Sequence, residues 1–300
     1  MKNAAASRTA EWNALFRALE TGRPRRRRLV DDPLARRFLT GLRYVAGCGA
    51  RLPGLSPVLG AVVDMVQPGV RPAVIARTRL IDEHMSEAMR NGIAQVVILG
   101  AGFDTRAWRI AGATSIFEVD HPNTSAAKQR HLREARSLAP VRYVKLDFNR
   151  DNLDDMLAVA GYDATRPTFF LWEGVTNYLE EVAVRKTFSF VGKAAPGSRI
   201  AFSYVHRDII TNPERFAGGL ELQRRLAKME EPFTFGLDPR DLADFLKPYR
   251  LTLIEDIGSV DYRIRYMGAN GPHLRGHEFY RVAVAEIGGH NHSQGQPKAS

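Results

Sequence analysis

The run Val96-Val97-Ile98-Leu99-Gly100-Ala101-Gly102-Phe103-Asp104 sets two glycines directly after a short apolar stretch. A buried strand entering Gly-x-Gly can turn sharply and bring its backbone close to a ligand, because glycine adopts left-handed dihedrals without steric cost. The helix expected next offers free N–H groups. Asp120 closes the following run, Ser115 to Asp120, about 20 residues after Gly100. From that position a carboxylate accepts hydrogen bonds from ribose hydroxyls and disfavours a 2′-phosphate. Asp147-Phe148 closes a third run, a pairing suited to an adenine amino group and its apolar face. Glu173 follows a fourth, Thr168 to Trp172. Alone, Gly-x-Gly is only a tight turn and each carboxylate only a cap or loop residue. Three carboxylates at successive strand ends point to a nucleoside site, because ligands of parallel sheets bind beyond the carboxyl ends of the strands.

A dinucleotide loop has a third glycine where this chain has Thr105. The sequence Gly-Ala-Gly-Phe-Asp-Thr instead puts an acidic residue near the phosphate position, which suits a nucleoside without phosphates and weighs against NAD.

The elements that must position these residues alternate. Strands are expected at 95–99, 115–120, 142–147, 168–172 and 199–205, with helices between them. That rhythm predicts βαβ units and a mostly parallel sheet covered on both faces. Ahead of it, Thr9 can cap a helix whose apolar face is Trp12, Leu15, Phe16 and Leu19. A second helix is expected from Asp32-Pro33, carrying Leu34, Phe38 and Leu39, and another over Ala73 to Asn91. Residues 41–72, rich in Gly and Pro, read as irregular helical pieces walling a substrate pocket. The division expected is a helical cap over 1–92 and a nucleoside-binding core over 93–287. A charged helical insertion occupies 206–237 of that core, and a disordered tail is expected over 288–300.

The 300 residues carry a formal net charge of +10, with 44% hydrophobic and 25% charged side chains, in the range of soluble globular proteins. Arg23 and Arg25-Arg26-Arg27-Arg28 hold five of the positive charges. The run reads as a solvated loop, or as a funnel for an anionic acceptor. Without interleaved aromatics it is a poor nucleic-acid track, and no nucleic-acid partner is expected. Cys48 is the single cysteine, which excludes an internal disulfide and any multi-cysteine metal site and fits a reducing cytosol. No metal site is expected. No apolar leader is evident and no segment is long enough to span a bilayer, so a cytoplasmic protein without a membrane partner is expected.

Several stretches together resemble one family: Thr9-Ala-Glu-Trp, Asp32-Pro-Leu-Ala, Ala76-Arg-Thr-Arg79, Val97 to Arg106, Phe117-Glu-Val-Asp-His-Pro122, Asp147-Phe148 and Glu173-Gly-Val-Thr-Asn-Tyr178. They are similar to the leucine carboxyl methyltransferases, and more closely to their bacterial branch of O-methyltransferases common in actinomycetes. The resemblance runs from about residue 7 to 287. It implies a class I methyltransferase fold (Rossmann-like, seven strands, antiparallel only at the last) with a helical cap, and S-adenosylmethionine (SAM) as cofactor. Carried over by motif, Arg77 would pair with the SAM carboxylate, Gly100 and Gly102 would form the loop against the methionine part, and Asp120 would hold the ribose. Asp147 and Phe148 would hold the adenine, and Glu173 the methionine end. Arg79 competes with Arg77 from another side of the helix.

For methyl transfer, a carboxylate acceptor needs a clamp and no base, whereas a phenol or alcohol needs a base, most often histidine. Tyr204 is the first choice for an acceptor hydrogen bond, and His206 for a base. Arg106, Arg263 and Arg265 are candidate anion clamps, and Arg109 a structural residue. His121 belongs to the cofactor loop. The family's eukaryotic members methylate a phosphatase C-terminus. The segments that build acceptor pockets differ here, so the expected acceptor is a small metabolite carboxylate or hydroxyl, a polyketide-like acid favoured. A protein C-terminus, or a SAM-binding regulator without turnover, remains open.

Overall fold

Seven strands form one sheet: β1 (Gln95–Leu99), β2 (Ser115–Asp120), β3 (Val141–Lys145), β4 (Thr168–Trp172), β5 (Arg199–Val205), β6 (Leu251–Gly258) and β7 (Tyr280–Ile287). Their spatial order is β3-β2-β1-β4-β5-β7-β6. The first five pair in parallel, and β7 runs antiparallel to both neighbours, β5 and β6. These coordinates are a computed structural model, and they describe residues 3–288 apart from Asn149 and Glu230. Residues 289–300, nearly all of the tail expected to be disordered, lie outside the described residues.

Twelve α-helices are found among the described residues. Four precede the sheet: α1 (Asn3–Thr21), α2 (Gly41–Gly49), α3 (Leu55–Val66) and α4 (Val70–Arg90). Four connect the parallel strands: α5 (Arg106–Arg109), α6 (Pro122–Leu132), α7 (Leu153–Val159) and α8 (Glu181–Val191). The insertion after β5 holds α9 (Asp208–Thr211) and α10 (Gly219–Lys228), closed by a bridge between His206 and Leu237. The last two are α11 (Leu242–Leu246) and α12 (Ser259–Met267). The sequence reading lacked α12, because Tyr262 and Arg263 inside a nine-residue stretch give no run long enough to show a period. Around Asp32 the expected helix is a short 3-10 turn, Ala35–Phe38.

Both faces of the sheet are covered, so β1 and β4 are buried at every position and read as continuous apolar runs rather than alternating ones. On one face, α7, α8 and α11 bury Leu157, Phe188 and Leu246 with Trp172 and Phe202. Phe188 meets Phe202 and Trp172 edge-on, at 5.1 and 5.4 Å between ring centroids. On the other face, α4 and α12 bury Leu80, Ile81, Met85 and Tyr262 against Val96, Ile98 and Leu171.

The cap is tied to the core by Asp32. Its carboxylate accepts from Arg17 Nε at 2.8 Å, from Thr105 Oγ1 at 2.6 Å and from the backbone of Leu34 and Ala35. Arg17 also donates to the Phe103 carbonyl at 2.6 Å. This latch joins α1, the turn after it and the glycine loop. Phe38 stacks on Phe103 beside it, centroids 4.5 Å apart. Asp32 is only 1% exposed, so its removal strands a buried guanidinium. Asp32→Ala is therefore expected to cost about 3–5 kcal/mol, read as a lowered midpoint in chemical denaturation. Asp32→Asn, which keeps an acceptor oxygen, is expected to lose clearly less.

Candidate active site

Strand order reverses between β1 and β4, and the crevice at that switch point is where an open α/β sheet takes its ligand. The glycine loop after β1 faces the loop after β4 there. Gly100 sits at φ +68°, and a Cβ on it would lie 2.4 Å from Val175 Cγ2, so only glycine fits. Gly102, at φ +44°, has no neighbour nearer than 3.9 Å to such a Cβ. The backbone at Gly102 is thus open to the crevice.

The crevice holds a cavity of about 260 Å³. Of the expected cofactor residues, Arg77, Gly100, Gly102, Asp120, Asp147, Phe148 and Glu173 all line it. Asp120 accepts from the N–H of Gly102 and from the N–H of His121, the latter at 2.6 Å. A carboxylate has about four lone-pair sites, so two remain for a diol. Burial raises the Asp120 carboxyl above its ordinary value, and these two N–H groups pull it partly back. His121 caps α6 through Asn123 N and lines the cavity beside Asp120.

Glu173, one residue past β4, receives Arg77 Nε at 2.7 Å and Arg106 Nη2 at 2.9 Å. Burial alone would raise its carboxyl, but the two guanidiniums outweigh it and hold the carboxyl below the usual range. Arg106 sits among three carboxylates: besides Glu173, its Nε meets Asp82 at 2.7 Å and its Nη1 meets Asp104. Arg109 pairs with Asp82 as well, which makes it structural. Asp104, although buried, is held down at about 2, chiefly by Arg106. Three arginines and three carboxylates thus form one network of closed charge. Arg77 differs from Arg106 in that, among the described residues, only its Nε is bound; its two Nη groups are left for an anion. Arg79 points to the surface and pairs with Glu83, so of the two arginines Arg77 is the one that lines the cavity.

Below the ribose position a second pair is fully buried, Lys128 Nζ to Glu118 at 2.8 Å. Burial pushes the Glu118 carboxyl up to about 7 in spite of Lys128. Neither Asp82 nor this pair was found by the sequence reading. Asp82 sits mid-helix and Glu118 mid-strand, where nothing in spacing marks a partner far along the chain.

Three catalytic expectations are corrected. Tyr204 does not line the cavity; its hydroxyl donates to Asp256 at 3.0 Å and accepts from Arg281 Nε at 3.1 Å. His206 is also elsewhere, accepting from Asp208 N at 3.1 Å and lying against Phe216. Past the end of β5 the His206 N–H donates to the Phe279 carbonyl and the Arg207 N–H to the Leu237 carbonyl, so the chain there is engaged by the end of the insertion and by the residue ahead of β7. Arg106 lines the cavity, but it is buried and paired with Asp82, Asp104 and Glu173, which makes it a support for the site. Arg263 is buried on backbone carbonyls and Arg265 pairs with Glu255, so neither is a clamp here. Residues 41–72 supply none of the cavity wall either. The rest of the lining includes Thr9 and Asn13 of α1, Val74 and Thr78 of α4, Tyr178, Leu179 and Glu231.

The donor set fits a nucleoside with a charged amino-acid tail and no phosphate: Asp120 for a diol, Asp147-Phe148 for a base, and Arg77 with Glu173 for a zwitterion. The Gly102 N–H, a loop donor that a pyrophosphate would use, is already given to Asp120. Sheet and site together define a class I SAM-dependent methyltransferase. The fold is shared with a DUF574 family protein of Streptomyces avermitilis, TM-score 0.54 at 15% identity, covering 78% of this chain and 90% of that one. It is shared equally with a structure titled a "putative methyltransferase" from Thermobifida fusca, TM-score 0.54 at 15% identity over 79% of this chain and 89% of that one. In sequence, a Streptomyces coelicolor protein named "Putative S-adenosyl-L-methionine-dependent methyltransferase" is 35% identical over 70% of this chain and 72% of its own length. A Frankia alni protein with the same description is 34% identical over 70% and 71%. The family described as leucine carboxyl methyltransferase matches residues 10–192, and the chain belongs to it.

Asp120→Ala is expected to weaken SAM binding by roughly 2–4 kcal/mol in calorimetric titration, since two charge-assisted hydrogen bonds are lost. Arg79→Ala should leave the affinity unchanged. The raised Glu118 carboxyl has a second consequence. The folded protein binds more protons here than the unfolded chain between about pH 4.5 and 7, so this group's contribution to stability falls as pH rises through that window. Denaturation midpoints at the two ends of the window should show that slope, and the double variant Glu118→Gln/Lys128→Met should flatten it.

Proposed function

We propose that this chain transfers the methyl group of SAM to a carboxylate or hydroxyl oxygen of a small, largely apolar metabolite, such as a polyketide-like acid. The observation that carries the reading is the wall beyond Glu173. It offers the Tyr178 hydroxyl, Thr9 and Asn13 on a background of Val74 and Leu179. Its roof is drawn together where Thr9 Oγ1 meets Glu231 Oε2 at 3.4 Å.

Bound SAM supplies a methyl already activated by a sulfonium, so the protein's work is to align an oxygen and exclude water. Burial holds the Tyr178 phenol well above its ordinary value, so it stays protonated and can donate to an acceptor oxygen. Among the described lining residues the single histidine is His121, on the ribose side. An acceptor end without imidazole suits a carboxylate, which needs no base. For a hydroxyl acceptor, Glu231 is the group in place to receive the proton.

Transfer of labelled methyl from SAM to a panel of carboxylic acids, phenols and C-terminal peptides tests the reading. A product that releases methanol in mild base is an ester; a base-stable one is an ether. Tyr178→Phe is expected to lower kcat/KM by about 1 kcal/mol, the size of one hydrogen bond, with SAM affinity unchanged. Turnover on peptides alone would favour the protein acceptor, and SAM binding without turnover on any acceptor would favour a regulator.

A further inference from the structure

The helices that fail to line the pocket leave an apolar face bare. On α3, Leu59 and Val63 pack inward toward α1, while Val58, Val62 and Met65 point outward, Met65 being 74% exposed. Leu42 and Val45 of α2 continue the same bare surface, Leu42 at 87% exposure. A helix that is apolar on both sides is normally buried on both. Contiguous exposed apolar surface of this kind marks a contact with something else.

The charge around it says what. Residues 22–71 hold ten arginines against three aspartates, most of the chain's excess of positive charge. Gly22 packs on the backbone of Ala50, so the arginine run emerges beside the end of α2. Ion pairs in the segment use Arg23, Arg28, Arg43 and Arg71. Among the described residues, Arg25, Arg26, Arg27, Arg36, Arg37 and Arg51 have no carboxylate partner. Two copies of this face brought together would set like charges against one another. A surface with an apolar interior and an anionic skin complements it instead.

We infer that the α2–α3 face docks on anionic lipid bilayers, with the apolar side chains entering the acyl boundary and the arginines among the headgroups. It is a surface contact, since no single described helix is long and apolar enough to cross a membrane. The bent pair α3 and α4, angled at 115°, has α4 committed to the core. The inference is independent of the acceptor. Its geometric consequence is that α1 lies between lipid and cofactor: Thr9 and Asn13 face the cavity, while Leu15 and Leu19 carry α2 and α3.

Co-sedimentation of the full chain with vesicles of phosphatidylcholine alone, or mixed with phosphatidylglycerol, tests it. Binding should be about tenfold or more stronger with phosphatidylglycerol and should weaken with salt. The variants Val62→Asp/Met65→Asp and Arg25→Glu/Arg26→Glu/Arg27→Glu should each lose about tenfold or more of that binding. Unchanged SAM affinity in both variants shows that they are folded. Equal binding to the two vesicle types, or none, overturns the inference. So does a wild-type dimer in sedimentation velocity that Val62→Asp/Met65→Asp converts to monomer, which would assign the face to a second copy.

Discussion

The site depends on a buried set of charges that no single element could hold. Arg77 and Asp82 come from α4, Asp104 from the glycine loop, Arg106 and Arg109 from α5 and Glu173 from the end of β4. A buried charge is tolerated only when paired. Each element must therefore deliver its partner for the others to be stable, and the cap helix is thereby fixed to the carboxyl edge of the sheet. The network balances three positive against three negative groups. It leaves a defined remainder, the two Nη groups of Arg77, at the point where the carboxylate of an amino-acid ligand would sit.

That division of labour explains why neighbouring arginines differ in role. Arg106 is the more buried and the more tightly bound, and for that reason it is a support rather than a clamp. Asp120 shows the same economy, with two N–H groups fixing the carboxylate and its remaining lone pairs turned to the ligand. Lys128 and Glu118 beneath it are costly to bury, and their charge reaches Asp104 and Asp120. The glycine loop is thus held from one side by electrostatics and from the other by the Asp32 latch.

The cap has two unlike sides. One side of α1 is polar and closes the cavity; the other is apolar and carries α2 and α3. The same helices that look, by composition, like a pocket wall are outer layers, because α1 already occupies the place between them and the cofactor. Apolar content in a segment says that it will be covered, without saying by what.

The sequence by itself determined the parallel sheet, the glycine loop and the carboxylates at the strand ends. Each of these is local: a strand's apolar run, a turn that needs positive φ, and a residue one or two positions beyond a strand are all written in consecutive letters. Arg77 was singled out by its motif, and the fold brings it to the cavity. Asp82, Lys128 with Glu118, and Tyr178 as part of the cavity wall were decided by tertiary structure alone, because their meaning lies in partners dozens of residues away. The same holds for Tyr204 at the end of β5, whose hydroxyl is taken by Asp256, and for His206 just past it, where the insertion closes at Leu237. Proximity to a strand end puts a residue at the edge of the sheet. Which edges stay open depends on what the rest of the chain lays across them, and that is fixed only when the packed molecule has satisfied its buried charges and apolar faces together.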